Sequence, residues 1–119
     1  MAGTFLYYSY VFIEKDKCRD FIIKNRDAKW APGALYNLGN LFLVVQQPGK
    51  ADGIFEILIS SFSETEYFEP AYYKYYYSAV LDGRKKKEII RRGELYIDKF
   101  PEALKADQVQ ERISLLRKF

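Results

Sequence analysis

Apolar residues return every three or four positions along almost all of this chain, and strict strand alternation appears only in short ambiguous runs. Breakers interrupt the pattern at fairly regular places: Glu14-Lys15-Asp16, Arg26-Asp27-Ala28, Gln46-Gln47-Pro48-Gly49, Ser63-Glu64-Thr65-Glu66, Asp82-Gly83 and Phe100-Pro101-Glu102. They leave helix-length pieces at about 3–14, 16–25, 30–46, 49–62, 67–82, 84–99 and 103–118. The pieces pair, and the pairs recur: Gly49 and Gly83 stand 34 residues apart (83 − 49), Ala34 and Ala71 37 (71 − 34), Phe62 and Phe100 38 (100 − 62). A helix–turn–helix at this period predicts an α-solenoid, in which each unit buries its apolar face against its neighbours. The expected fold is therefore all-α: a right-handed solenoid of three hairpins, about 3–26, 30–65 and 67–100, closed by a capping helix at 103–118, all one domain over 1–119. The cap suits its place. Ala106, Val109, Ile113 and Leu116 make one narrow apolar stripe, and charged residues cover much of the rest.

Turn chemistry supports the same division. Pro48-Gly49 and Asp82-Gly83 suit tight helix-to-helix turns, with glycine free to take the left-handed conformation that ends a helix. Pro101 can open the last helix in its first turn, where a missing N–H costs nothing.

At the middle pair the pattern is specific. The run Ala34-Leu35-Tyr36-Asn37-Leu38-Gly39-Asn40-Leu41-Phe42, followed by Ala51, Phe55, Leu58 and Ser63, resembles the tetratricopeptide repeat (TPR) family. That family places a Leu-Gly pair and an aromatic on its first helix, then a small residue and an aromatic on its second. Gly39 and Ala51 would be small where two helices cross, with Leu38, Phe42, Phe55 and Leu58 filling the space beside them. The flanking units depart from the pattern: Tyr75-Tyr76 replaces Leu-Gly, Glu88 replaces the small residue, and Ser9 and Cys18 serve as small packing residues in the first pair. Phe21 to Asn25 and Ile97 to Glu102, each ahead of a fresh helix, also resemble the bacterial cell-envelope subgroup, which includes outer-membrane-assembly lipoproteins and Tol–Pal-associated factors.

The resemblance implies a concave groove lined by the first helix of each pair. Carried onto this chain, the groove set is Tyr10, Tyr36, Asn40, Leu43, Val44, Tyr73 and Tyr77. Tyrosine suits such a surface, because it combines a large apolar face with a polar tip at low entropic cost. TPR domains that hold a chaperone's C-terminal carboxylate use Lys, Arg and Asn on these faces. Here Tyr36 and Tyr73 stand where a cation is needed, so the expected partner is a peptide or helix with an apolar or aromatic anchor. Inter-repeat packing, with the hydroxyls reaching water, is the plainer role for any single tyrosine.

Composition closes off much of the alternative chemistry. With no histidine, the chain has no Ser-His-Asp or Cys-His arrangement and no His-containing zinc site. One cysteine, Cys18, makes neither an internal disulfide nor an all-cysteine cluster, and no phosphate-binding glycine loop is present. Glu64, Glu66 and Glu69 cluster near a helix start, where carboxylates favour the dipole. The expectation is a non-catalytic module without metal or cofactor.

Lys+Arg 19 against Asp+Glu 16 leaves +3, and much of the basic excess lies in Arg84 to Arg92. Arg84, Lys85, Lys87, Arg91 and Arg92 are expected mostly outside the apolar face of their helix, as a solvated patch and a secondary contact. That patch also carries the alternative reading, a basic helical domain binding nucleic acid or anionic membrane, although a slight acidic excess elsewhere argues against nucleic acid. A homo-oligomeric scaffold, with the aromatic helices in a self-interface, is the other alternative. No run approaches the ~18 apolar residues of a membrane span. The N-terminus lacks signal-peptide features, which points to the cytoplasm, or to the cell envelope if the chain is a mature or excised domain.

Overall fold

The computed structural model describes residues 16–119, and all regular structure in them is helical. The helices are α1 (16–24), α2 (Ala31–Val44), α3 (Pro48–Ser61), α4 (Phe68–Leu81), α5 (Lys86–Lys99) and α6 (Ala106–Lys118). They coincide with six of the pieces set by the breakers, with ends moved by three residues or fewer. The piece at 3–14, with Tyr10 and Ser9, lies outside the described residues.

Two helix stops show how local chemistry sets these bounds. After α4, Gly83 adopts φ 65°, its N–H bonds the Val80 carbonyl, and the Arg84 N–H bonds the Ala79 carbonyl. This is the left-handed closure expected of Asp82-Gly83. After α2 the same closure forms, but Gln46 makes it, at φ 61°, with Gln46 N–H on the Leu43 carbonyl and Gln47 N–H on that of Phe42. Gly49 is therefore not the stop residue. Pro48 opens α3 at its first turn, where its fixed φ is already helical and its missing N–H has no intrahelical partner, which puts Gly49 inside the helix. Pro101 does not open α6; residues 101–105 form a turn, and the helix begins at Ala106.

From α2 onward each helix packs on the next: α2 on α3, α3 on α4, α4 on α5 and α5 on α6. One buried cluster joins Ile22, Leu35, Leu38, Phe42, Ile54, Phe55 and Leu58; the other joins Tyr76, Ala79, Ile89, Tyr96, Val109 and Ile113. Phe42 and Phe55 are fully buried, each contributing about 1.5–3 kcal/mol relative to exposure. Gly39 sits where α2 meets α3: a Cβ there would lie 2.7 and 2.8 Å from ring carbons of Phe55. Gly93 does the same for α5 against α6, with Ile113 Cδ1 at 2.9 Å. Phe62 and Phe100 are half-buried, packed on the edges of the two clusters. Cys18 is exposed rather than packed in a helix pair. Trp30 is half exposed and stacks on Phe21 at the α1–α2 corner, ring centroids 5.9 Å apart.

The two clusters are stitched by a buried ionic network that overturns part of the expected basic patch. Arg92 is 3% exposed. Its Nη1 and Nη2 each donate to Asp52 of α3 at 3.0 Å, its Nε donates to Glu88 at 2.8 Å, and Nη1 also donates to the Tyr75 carbonyl at 2.8 Å. Its guanidinium lies 3.9 Å from the Tyr75 ring centroid, and the Ser78 hydroxyl of α4 donates to the same Asp52. The helical repeat places Arg92 three residues after Ile89 and four before Tyr96, both buried, so it points inward. A fully satisfied bidentate partner makes that burial tolerable.

Candidate binding groove

Asn40, Leu43 and Val44 follow one another at spacings of three and one, and Lys74, Tyr77 and Leu81 at three and four. Each set therefore occupies one stripe of its helix. The fold brings the stripes together: these six residues line a cleft of about 300 Å³ between α2 and α4. The cleft continues past Gln46, Pro48 and Asp82 into a hollow of about 500 Å³ that shares Leu43, Val44 and Leu81. Val44 is 75% and Leu81 53% exposed, so the groove presents uncovered apolar surface. Asn40 Oδ1 is buried yet receives no hydrogen bond among the described residues, and Gln47 Oε1 is in the same condition.

Of the residues expected in a groove, Asn40, Leu43, Val44 and Tyr77 are gathered in this cleft. Tyr36 and Tyr73 are not among its lining residues. Tyr36 packs against Phe55 and Tyr67, centroids 6.2 and 5.5 Å away, as part of the first cluster. Tyr73 lies beside the groove. Its ring is parallel to Tyr77 within 12° at 5.9 Å and also meets Tyr76 and Tyr96. Burial raises the pKa of the Tyr73 hydroxyl, and the same cause, opposed by nearby Arg112, raises that of Tyr76.

Sequence reasoning missed the cations beside these rings. Lys74 stands 5.9 Å from the Tyr77 centroid, and Lys105, from the turn before α6, stands 4.0 Å from that of Tyr73. Desolvation, then the charge of Lys105, lowers the pKa of Lys74. Lys74 was findable, since it precedes Tyr77 by three residues on the same stripe. Lys105 was hidden by the expectation that 103–118 is continuous helix.

The basic run is mostly spoken for. Arg84 pairs with Asp82 at 2.8 Å and Asp52 at 3.1 Å, Arg91 pairs with Glu88 at 2.7 Å, and Arg92 is buried as described. Lys85, Lys86, Lys87 and Arg91 are the exposed cations of the stretch, and of these only Arg91 pairs with a carboxylate among the described residues. Arg92 therefore does not belong to a solvent-facing patch, and Arg84 and Arg91 enter it already neutralised.

A third hollow, about 670 Å³, lies between the start of α4 and the α5–α6 turn, lined by Glu69, Phe100, Leu104 and neighbours. Glu69 accepts a hydrogen bond from the Tyr96 hydroxyl, which fits the structural role expected of it. Burial first, then that carboxylate, raises the Tyr96 pKa. Among the described residues no helix is long and apolar enough to cross a membrane, and no group of three or more Cys, Asp or Glu is placed to hold a metal ion. Comparison with models of known protein families and with curated proteins finds no match to this chain.

Proposed function

We propose that this chain is a non-catalytic protein-interaction module of the TPR type: a right-handed solenoid of helical hairpins with α6 as its cap, taking a partner's peptide or helix in the α2–α4 groove. The observation that carries this reading is the groove itself. Two helices that are not neighbours in sequence leave an apolar-floored cleft with uncovered Val44 and Leu81, and below it the buried Asn40 Oδ1 has no hydrogen-bond partner among the described residues. Uncovered apolar contact area in a cleft is the chemistry of recognition. The side chains that meet there offer no nucleophile and base in mutual reach. The packing of Gly39 against Phe55 supports the family reading at the residues that suggested it. Binding of nucleic acid or membrane through 84–92 is less favoured, because Arg84, Arg91 and Arg92 are already paired with carboxylates.

The test replaces exposed groove residues that the fold does not need. Val44→Asp with Leu81→Asp should keep the thermal midpoint close to wild type and abolish partner capture from the native organism. Capture at the wild-type level by that double variant would refute the assignment of the groove.

A further inference from the structure

We propose that the occupant of the groove is an internal acidic segment of a partner protein, its side-chain carboxylates met by Lys74 in the cleft and Lys105 beside it and an apolar residue between them seated on Leu43, Val44 and Leu81. The proposal rests on the groove reading above and names the chemistry of its ligand.

The charge arrangement leads to it. Arg84 is met by Asp82 and Asp52, Arg91 by Glu88 and Arg117 by Glu94, whereas most surface lysines carry no such partner among the described residues; what sets Lys74 and Lys105 apart is their closeness to each other over one pair of stacked rings. Lys74 and Lys105 form no ion pair with any carboxylate among the described residues, although α4 and the turn before α6 bring them to one aromatic surface. Lys74 is half-buried, and its ammonium is disfavoured both by desolvation and by the charge of Lys105. An anion arriving between them relieves that repulsion and gains charge-assisted bonds in a partly water-excluded setting. The ring faces of Tyr73 and Tyr77 hold the cations in place.

The same geometry separates a peptide from a nucleic acid. Binding of single strands uses open aromatic faces on which bases stack. Here Tyr73 is covered by Lys105 and flanked by Tyr77, Tyr76 and Tyr96, and Tyr77 has Lys74 beside it. Lys74 and Lys105 attend different rings of the stacked pair, which matches carboxylates on separate side chains better than a single chain terminus.

The experiment is an NMR titration of the full chain with a short acetylated and amidated peptide of alternating glutamate and leucine with a central phenylalanine. Saturable shifts at Asn40, Val44, Lys74, Tyr77 and Lys105 are expected, weakening as salt rises. Replacing every glutamate by glutamine, or the protein by Lys74→Gln with Lys105→Gln, should weaken binding at least about tenfold. The same peptide with a free C-terminal carboxylate should bind no more tightly. Equal binding of the glutamine peptide overturns the acidic ligand and leaves the groove standing. Shifts confined to residues outside the groove, or none with either peptide, overturn both. Displacement of the acidic peptide by an oligothymidylate at lower concentration overturns the choice of peptide.

Discussion

At the residue scale, two glycines separate what was readable from what was not. Gly39 belongs to a motif and predicts its own close contact; Gly93 lies on the expected inner face of α5, with Ile89, Ile90, Ile97 and Phe100, but no motif marks it as a crossing point, and it makes a contact almost as close. Their neighbours differ in kind. Gly39 faces the rigid ring of Phe55 at 2.7 and 2.8 Å, whereas Gly93 faces the movable end of Ile113 at 2.9 Å and, less closely, Val109 Cγ1 at 3.1 Å and Ile113 Cγ1 at 3.2 Å. Alanine gains about 1 kcal/mol over glycine in a helix interior, and overpacking a rigid neighbour costs about 1–3 kcal/mol. Gly39→Ala should therefore be clearly destabilising in urea unfolding, and Gly93→Ala should cost less. Equal losses at both sites would show that ring rigidity does not decide the outcome. Gln46 teaches a related lesson. A glycine three residues downstream drew the eye, yet the chain closes α2 on a residue with a side chain, because Pro48 must follow in helical φ.

At the element scale, α5 reads from sequence as basic, and its structure is that of a clasp. Arg92 was indistinguishable from its neighbours by composition, since its meaning lies in Asp52, which sits on another helix forty positions away. Removing one partner of a buried pair leaves an uncompensated charge, so Asp52→Ala should cost about 3–5 kcal/mol in denaturant unfolding. A loss well under 1 kcal/mol, roughly the level of an exposed pair, would show that the network contributes no more than a surface contact. Glu88 adds a pH dependence. Hydrogen bonds first from Arg91, and then from Arg92, lower its pKa to about 2, from an ordinary value of about 4.3. A lowered folded-state pKa contributes stability above the unfolded value, and that stability is lost as pH falls through the folded one. Wild type should thus exceed Glu88→Gln in stability at pH 6. Below pH about 4.3 the gap should narrow and close near pH 2. Stability curves that stay parallel across this range would exclude Glu88 as the titrating group.

At the scale of the whole molecule, the helix count and order were legible because breakers and periodicity are local properties. Six helices stand where the periodicity put them among the described residues. The groove was half legible. Asn40, Leu43, Val44 and Tyr77, which the family resemblance puts on one face, do share the cleft, whereas Tyr36 and Tyr73 are drawn into aromatic packing by Phe55, Tyr67 and Tyr96, partners that no single-helix pattern displays. The clasp has a consequence for a chain that is cut. The turn from Asp82 to Lys85 is largely exposed and bears consecutive tryptic sites, while the contacts across it are buried or half-buried: Arg92 with Asp52, Tyr73 with Tyr96, and Phe68 and Tyr72 with Phe100. Limited trypsin should nick the turn and leave a noncovalent complex that elutes as one species in native chromatography. Separately made pieces, 1–85 and 86–119, should find each other and restore helicity, and Arg92→Ala in the smaller piece should prevent it. The connection between α4 and α5 would then be a tether, with the specificity of assembly residing in one guanidinium and the carboxylate that waits for it.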